Sequence, residues 1–115
     1  MTSPAKRKGD RAEREVVAVL RKAGIPADRA YGAGRRPDPG DIDGLPGRYV
    51  QVRWRRELRP HTWWTKTVEA AAALDLEPVL VMGLPGLPPE TWIVWAVTRR
   101  RWRLEDWAEA VARAT

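Results

Sequence analysis

The residues of this chain best suited to chemistry fall in two places. Asp10 and Glu13 stand near the N-terminus, and Asp41, Asp43, Gln51 and Arg53 crowd the stretch GDIDGLPGRYVQVRW, residues 40–54. Carboxylates could act as ligands, and an amide and a guanidinium beside them add a neutral donor–acceptor and a fixed positive charge. Alternation along a strand explains how they could converge. Residues two apart lie about 6.6 Å apart on one side of a strand. In RYVQVRW, Gln51 and Arg53 therefore share one face, while Val50, Val52 and Trp54 share the other. Asp41 and Asp43 likewise share a face, with Ile42 opposed. A turn at LPG would fold the two strands into a hairpin and bring an acid, an amide and a guanidinium together. The plain alternative is a hairpin with one solvated face, where alternating polar residues need no chemistry.

Glu13 poses a similar choice. At about 100° per residue, Ala12, Val16, Val17, Val19, Leu20 and Ala23 fill one broad arc of a helix. Glu13 falls inside that arc, whereas Arg11, Arg14, Arg21 and Lys22 lie outside it. A carboxylate directed toward a core is costly unless something there pairs with it. It could be a ligand. It could equally be half of a D-x-x-E capping pattern with Asp10, folding back onto a helix start. Periodicity leaves both open.

The elements that must carry these residues follow from turn and breaker signals. Residues 1–9 read as a flexible basic arm, and a helix is predicted from Asp10 to Ala23, stopped by Gly24 and Pro26. YGAGRRPDPG is too rich in Gly and Pro for regular structure and reads as a flexible loop. Strands are predicted at Asp41–Gly44 and Arg48–Trp54. After Pro60, HTWWTKTVEAAAAL reads as a second helix. PVLVMGL suits a strand buried on both faces, TWIVWAV another strand, and Leu104–Ala114 a third helix. The order is helix, strand, strand, helix, strand, strand, helix. That predicts an α/β fold, a mixed sheet flanked by helices, as one domain over residues 10–115.

Composition narrows the class. A chain of 115 residues has the length of one domain. It has no cysteine, which removes disulfide frameworks, thiolate metal sites and Cys nucleophiles. No apolar run reaches about 18 residues and MTSPAKRKGD has no signal core, so a cytoplasmic location is expected. Lys and Arg number 21 against 15 acids, a net charge of +6, and Arg supplies 17 of the 21. Such a balance points to a polyanion partner, most often nucleic acid. The alternative is an Arg-rich genome or a thermophilic host that scatters charge for solubility. The basic clusters are KRK at 6–8, GRR at 34–36, RWRR at 53–56 and RRRWR at 99–103.

Taken together, RKGDRAEREVVAVLRKAG and GDIDGLPGRYVQVRW resemble the archaeal-type Holliday junction resolvases, especially their bacteriophage-encoded branch, within the PD-(D/E)xK nuclease superfamily. The likeness runs over roughly residues 7–107. It implies a restriction-endonuclease-like core and a structure-specific DNA endonuclease that resolves four-way junctions by Mg²⁺-dependent hydrolysis, with Mn²⁺ as a substitute. It also implies a homodimer with paired active sites. By the same likeness Glu13 and Asp41 would be metal acids, Val52 would offer its main-chain carbonyl, and Arg14 would contact DNA near the cut. Gln51 stands where the family has Glu, and Arg53 where it has Lys.

Those two departures matter. Gln51 contributes no charge, which weakens metal affinity unless Asp43 compensates. Arg53 cannot serve as a base, because a guanidinium keeps its proton in a protein. It can still grip a phosphate. A Glu→Gln exchange is also the isosteric way to silence a carboxylate, so binding without cutting is the rival reading. A related nuclease acting on other DNA is a second rival.

The remaining signals are weaker. Lys6, Arg7, Lys8, Arg35, Arg36, Arg55, Arg56 and Lys66 are candidates for phosphate contact. His61, the only histidine, lacks the partner a metal or base role needs and is expected to cap a helix or meet phosphate. Seven tryptophans are many for this length. Trp63 and Trp64 are adjacent, so one of them is expected to leave the core for a dimer interface or a DNA-stacking surface.

Overall fold

The computed structural model describes residues 4–30, 39–97 and 101–114, with backbone alone over 4–8. Helix α1 spans Pro4–Lys22, so residues 4–9 of the expected flexible arm are helical. The reason is local. Pro suits the first helical position, and the Ala, Lys and Arg that follow are strong helix formers whose preference outweighs the roughly 1 kcal/mol cost of Gly9. The helix closes where the breaker signals placed its end. The amide of Gly24 donates to the Arg21 carbonyl (3.0 Å) and that of Ile25 to the Leu20 carbonyl (3.0 Å), the paired bonds of a Schellman stop.

The sheet is mixed. Strand β3 (Arg48–Trp54) runs parallel to β4 (Glu77–Gly83), joined by the crossover helix α2 (Pro60–Ala73). Strands β5 (Ile93–Ala96) and β6 (Trp102–Arg103) then add antiparallel, giving the order β3-β4-β5-β6. Helix α3 (Leu104–Ala114) closes the chain. Strand β3 is thus an edge strand of this sheet.

Two short strands went unforeseen, β6 and β1 (Asp28–Arg29), each only 2 residues long. Strand β1 pairs antiparallel with β2 (Ile42–Asp43) in a separate ribbon. The expected hairpin is corrected by this pairing. A tight turn does connect β2 to β3, with the Arg48 amide donating to the Leu45 carbonyl (3.1 Å), yet β2 ladders with β1. The Asp41 amide, donating to the Val50 carbonyl (2.8 Å), ties this segment to the β3 edge.

Layering follows from alternation. Val50, Val52, Val79, Val81 and Val94 face α1 and α3, meeting Val16, Leu20, Leu104 and Trp107 in the main core. Leu80, Met82 and Trp95 face the other way into a smaller cluster under α2. Strand β4 is buried on both sides for this reason. Trp63 and Trp64 both pack, half-buried, against the smaller cluster, so the two adjacent positions do meet the same core. The patch is wide because Trp95 receives Trp64 and His61 edge-on, with ring centroids 6.2 and 5.3 Å away.

Candidate active site

The free edge of β3 is where the chemistry-bearing residues gather. A cleft of about 210 Å³ is lined by Asp10, Glu13, Asp41, Gln51, Val52 and Arg53, together with Gly9, Ala12, Trp54 and Arg55. Helix α1 forms one wall and the β3 edge the other. The Asp41 segment is held between them by the main-chain bond to Val50.

Each polar group is specified. Asp41 Oδ2 accepts from the Val52 amide (2.8 Å) and from Gln51 Nε2 (2.8 Å). The Gln51 Oε1 in turn accepts from the Tyr49 hydroxyl (3.4 Å). So Gln51 turns its N–H toward the acid and its carbonyl oxygen toward Tyr49. Arg53 carries a buried Nε without a hydrogen-bond partner among the described residues. A buried guanidinium N–H with no acceptor is costly, and an anion entering the cleft would satisfy it.

Glu13 is largely enclosed, its side chain 19% exposed. Burial pushes its carboxyl above the usual value of 4.5, while the hydrogen bond and charge of Arg29 pull it back down and Asp10 adds a smaller upward push. Arg29 is the residue that sequence reasoning missed. From β1 its Nε donates to Glu13 Oε1 (3.2 Å) and its Nη2 to Asp10 Oδ1 (2.9 Å). Its position is fixed by neighbours: Arg21 Nε donates to the Ala27 carbonyl (2.8 Å), and the Ala30 amide to the Asp41 carbonyl (3.0 Å). Nothing in ADRAYG announced this, because a strand of 2 residues leaves no periodicity.

The capping alternative for Glu13 is removed by the same geometry. Asp10 lies well inside α1, which begins at Pro4, so neither acid is at a helix start. Asp43 does not compensate for Gln51. It is exposed and lines a different groove, with Ile42, Leu45 and Leu76. Arg14, Arg56 and Lys66 are exposed and stand outside the cleft, whereas Arg55 is exposed at its rim, its Nη1 donating to the Trp54 carbonyl (2.9 Å). Lys6, Arg7 and Lys8 lie on the first turns of α1. Arg35 and Arg36 fall outside the described residues.

Among the described residues no group of three or more His, Cys, Asp or Glu could hold a metal ion by itself. The available donors are the carboxylates of Glu13 and Asp41 and the carbonyl of Val52. That is a minimal set, but Mg²⁺ is often bound through one or two carboxylates with phosphate and water completing its shell. Gln51 contributes no oxygen to it in this arrangement.

A mixed sheet flanked by helices is the restriction-endonuclease-like fold, and the carboxylates and the cation lie at the edge of its βαβ unit. Within that class the chain is similar to a solved structure of Archaeoglobus fulgidus Hjc, a Holliday junction resolvase from an archaeal hyperthermophile. The two share 28% identity over 76% of this chain and 75% of that one, with a TM-score of 0.54. No protein-family model and no curated protein matches the chain.

Proposed function

We propose that this protein is a structure-specific DNA endonuclease directed to four-way junctions, working as a homodimer with one cleft per protomer. The single observation that supports this best is the convergence of Glu13, Asp41, Gln51 and Arg53 in one cleft at the β3 edge. The similarity to a junction resolvase and the net charge of +6 agree with it.

The roles follow from the contacts. Glu13, Asp41 and the Val52 carbonyl would hold Mg²⁺, which when bound polarises water and offsets charge on the scissile phosphate. The Val52 amide and Gln51 Nε2 orient Asp41 by gripping one oxygen. Arg53 offers its guanidinium, whose buried Nε has no partner among the described residues, to the phosphate and steadies charge that develops there. Its fixed charge excludes it from proton transfer. Arg55 extends positive charge along the DNA path.

One observation favours a second reading, a junction-binding dimer that does not cut. Gln51 points an N–H donor at Asp41 where a second carboxylate would have demanded a cation between them. Incubating the protein with a synthetic four-way junction and with matched duplex in Mg²⁺ separates the readings. Paired nicks at the branch support the endonuclease. Tight junction binding without nicks, with cutting restored by Gln51→Glu, supports the silent binder. Equal affinity for junction and duplex would sink both and favour a nuclease acting on other DNA.

A further inference from the structure

A second, larger cavity of about 380 Å³ adjoins the cleft, sharing Ala12 and Trp54 with it. Its walls are the partly exposed Trp54, the loop carrying Leu87 and, behind them, an edge of the core residue Trp92, and Arg11 and Glu15 of α1 stand at its mouth. Three features show that the wall is built. The Trp92 indole N–H donates to the Leu87 carbonyl (3.2 Å), pinning the loop. The Leu87 amide donates to the Leu84 carbonyl (3.2 Å), closing that loop as a turn. And Gly83 has no room for a side chain, since a Cβ there would collide with the Trp54 indole and press on Trp92. The indole of Trp54 is thereby seated on bare backbone, with one end toward the cleft. Leu87 is 52% exposed at the rim of this cavity, an apolar side chain kept in water.

From these we propose that the cavity is a subsite for one unstacked nucleobase of the DNA held in the cleft. This deepens the nuclease reading and rests on it for the source of the base. The volume falls within the roughly 300–1,000 Å³ typical of ligand pockets. The partly exposed indole of Trp54 can stack any base, because every base presents a π-face. Arg11 and Glu15, joined at 3.3 Å, supply a charged pair at the mouth. The guanidinium suits the phosphate that enters with the base, and the carboxylate suits an exocyclic amine. Extruding a base is cheapest where pairing is already broken, and a branch point is such a place. Since Trp54 lines both spaces, the base would lie beside the phosphate gripped by Arg53.

The test compares DNA carrying one unpaired nucleotide at the branch with the same DNA made abasic there. A single-stranded oligonucleotide pair, base-bearing and abasic, is run alongside. Expected is roughly tenfold tighter binding of base-bearing DNA, erased in Leu87→Asp and in Trp54→Ala. Leu87 lies on an exposed loop, so its variant guards against a folding defect at Trp54. Equal affinity for base-bearing and abasic DNA would overturn the subsite, as would discrimination that persists in both variants. Junction preference without base discrimination strikes the subsite alone. Base discrimination on the single strand without junction preference strikes the junction reading and upholds the subsite.

Discussion

At the scale of residues, the site is organised by who neutralises whom. Gln51 spares Asp41 a second negative neighbour and grips it through a charge-assisted bond of 2.8 Å. Gln51→Glu should therefore destabilise the metal-free protein by about 2 kcal/mol, the worth of such a bond, lowering its thermal midpoint by roughly 10 °C. Added Mg²⁺ should recover most of that loss. Melting in chelator and in Mg²⁺ checks both, and an unchanged midpoint in chelator would mean that the amide bond carries no weight. Arg29 plays the corresponding part for Glu13. An acid whose carboxyl is raised in the folded state keeps its proton where the unfolded chain has already released it. Stability therefore falls as pH climbs from 4.5 through the raised value, then levels off. Arg29→Met removes both influences that lower the Glu13 carboxyl, so the decline should extend to higher pH. Carbon NMR titration of Glu13 in both proteins measures it; an unmoved titration would deny the clamp. Glu13, Asp41, Gln51 and Arg53 were legible in the sequence through residue type and alternation, and only the resemblance marked the last two as replacements. Arg29 was not, since only the ribbon that folds it back identifies its partners.

At the scale of elements, the cleft depends on how β2 meets the edge of β3. Gly40 makes that meeting possible. Its φ of +87° is a conformation side chains rarely adopt, and a Cβ there would sit 2.9 Å from the Val50 carbonyl oxygen. That oxygen is the one that receives the Asp41 amide. Gly40→Ala should then cost about 1–3 kcal/mol in backbone strain and also displace Asp41, weakening junction binding and any cleavage. Gly47→Ala is the control, for its φ is +79° but a Cβ there would meet nothing within 4 Å. It should lose stability without losing function. Denaturant melts paired with junction binding separate the two, and equal functional loss in both variants would refute the argument. The long elements were readable where their periodicity runs, over α1 from Asp10 onward and along the 7-residue strands, whereas residues 4–9 show no such pattern and are helical all the same. The β1–β2 pairing was not readable. Which strand a 2-residue segment joins is decided by tertiary contacts such as Arg21 with the Ala27 carbonyl, and local pattern is silent on those.

At the scale of the whole molecule, the chain has an apolar core on each side of its sheet and an excess of six positive charges outside it. A protein that neutralises phosphates releases condensed counterions, and the log of its affinity falls linearly with log salt at about 0.9 per contact on duplex DNA. The proposed binding should show that steep dependence on junction and duplex alike, with junction preference surviving as an offset between two nearly parallel lines. Arg55 is the sharpest single probe. It is exposed, stands at the rim of the cleft and bonds a main-chain carbonyl, so its removal should disturb the fold little. Arg55→Ala should weaken both substrates to a similar degree and reduce the salt slope by about one contact. Arg53 should behave differently, because its partnerless buried Nε awaits an acceptor inside the cleft rather than along the duplex. Substituting Arg53→Met should lower junction affinity with the slope on linear duplex unchanged. Fluorescence anisotropy on both DNAs across a salt series reads all of this. If Arg55→Ala left the slope intact while Arg53→Met flattened it on duplex, the DNA path would run somewhere other than over the edge of β3.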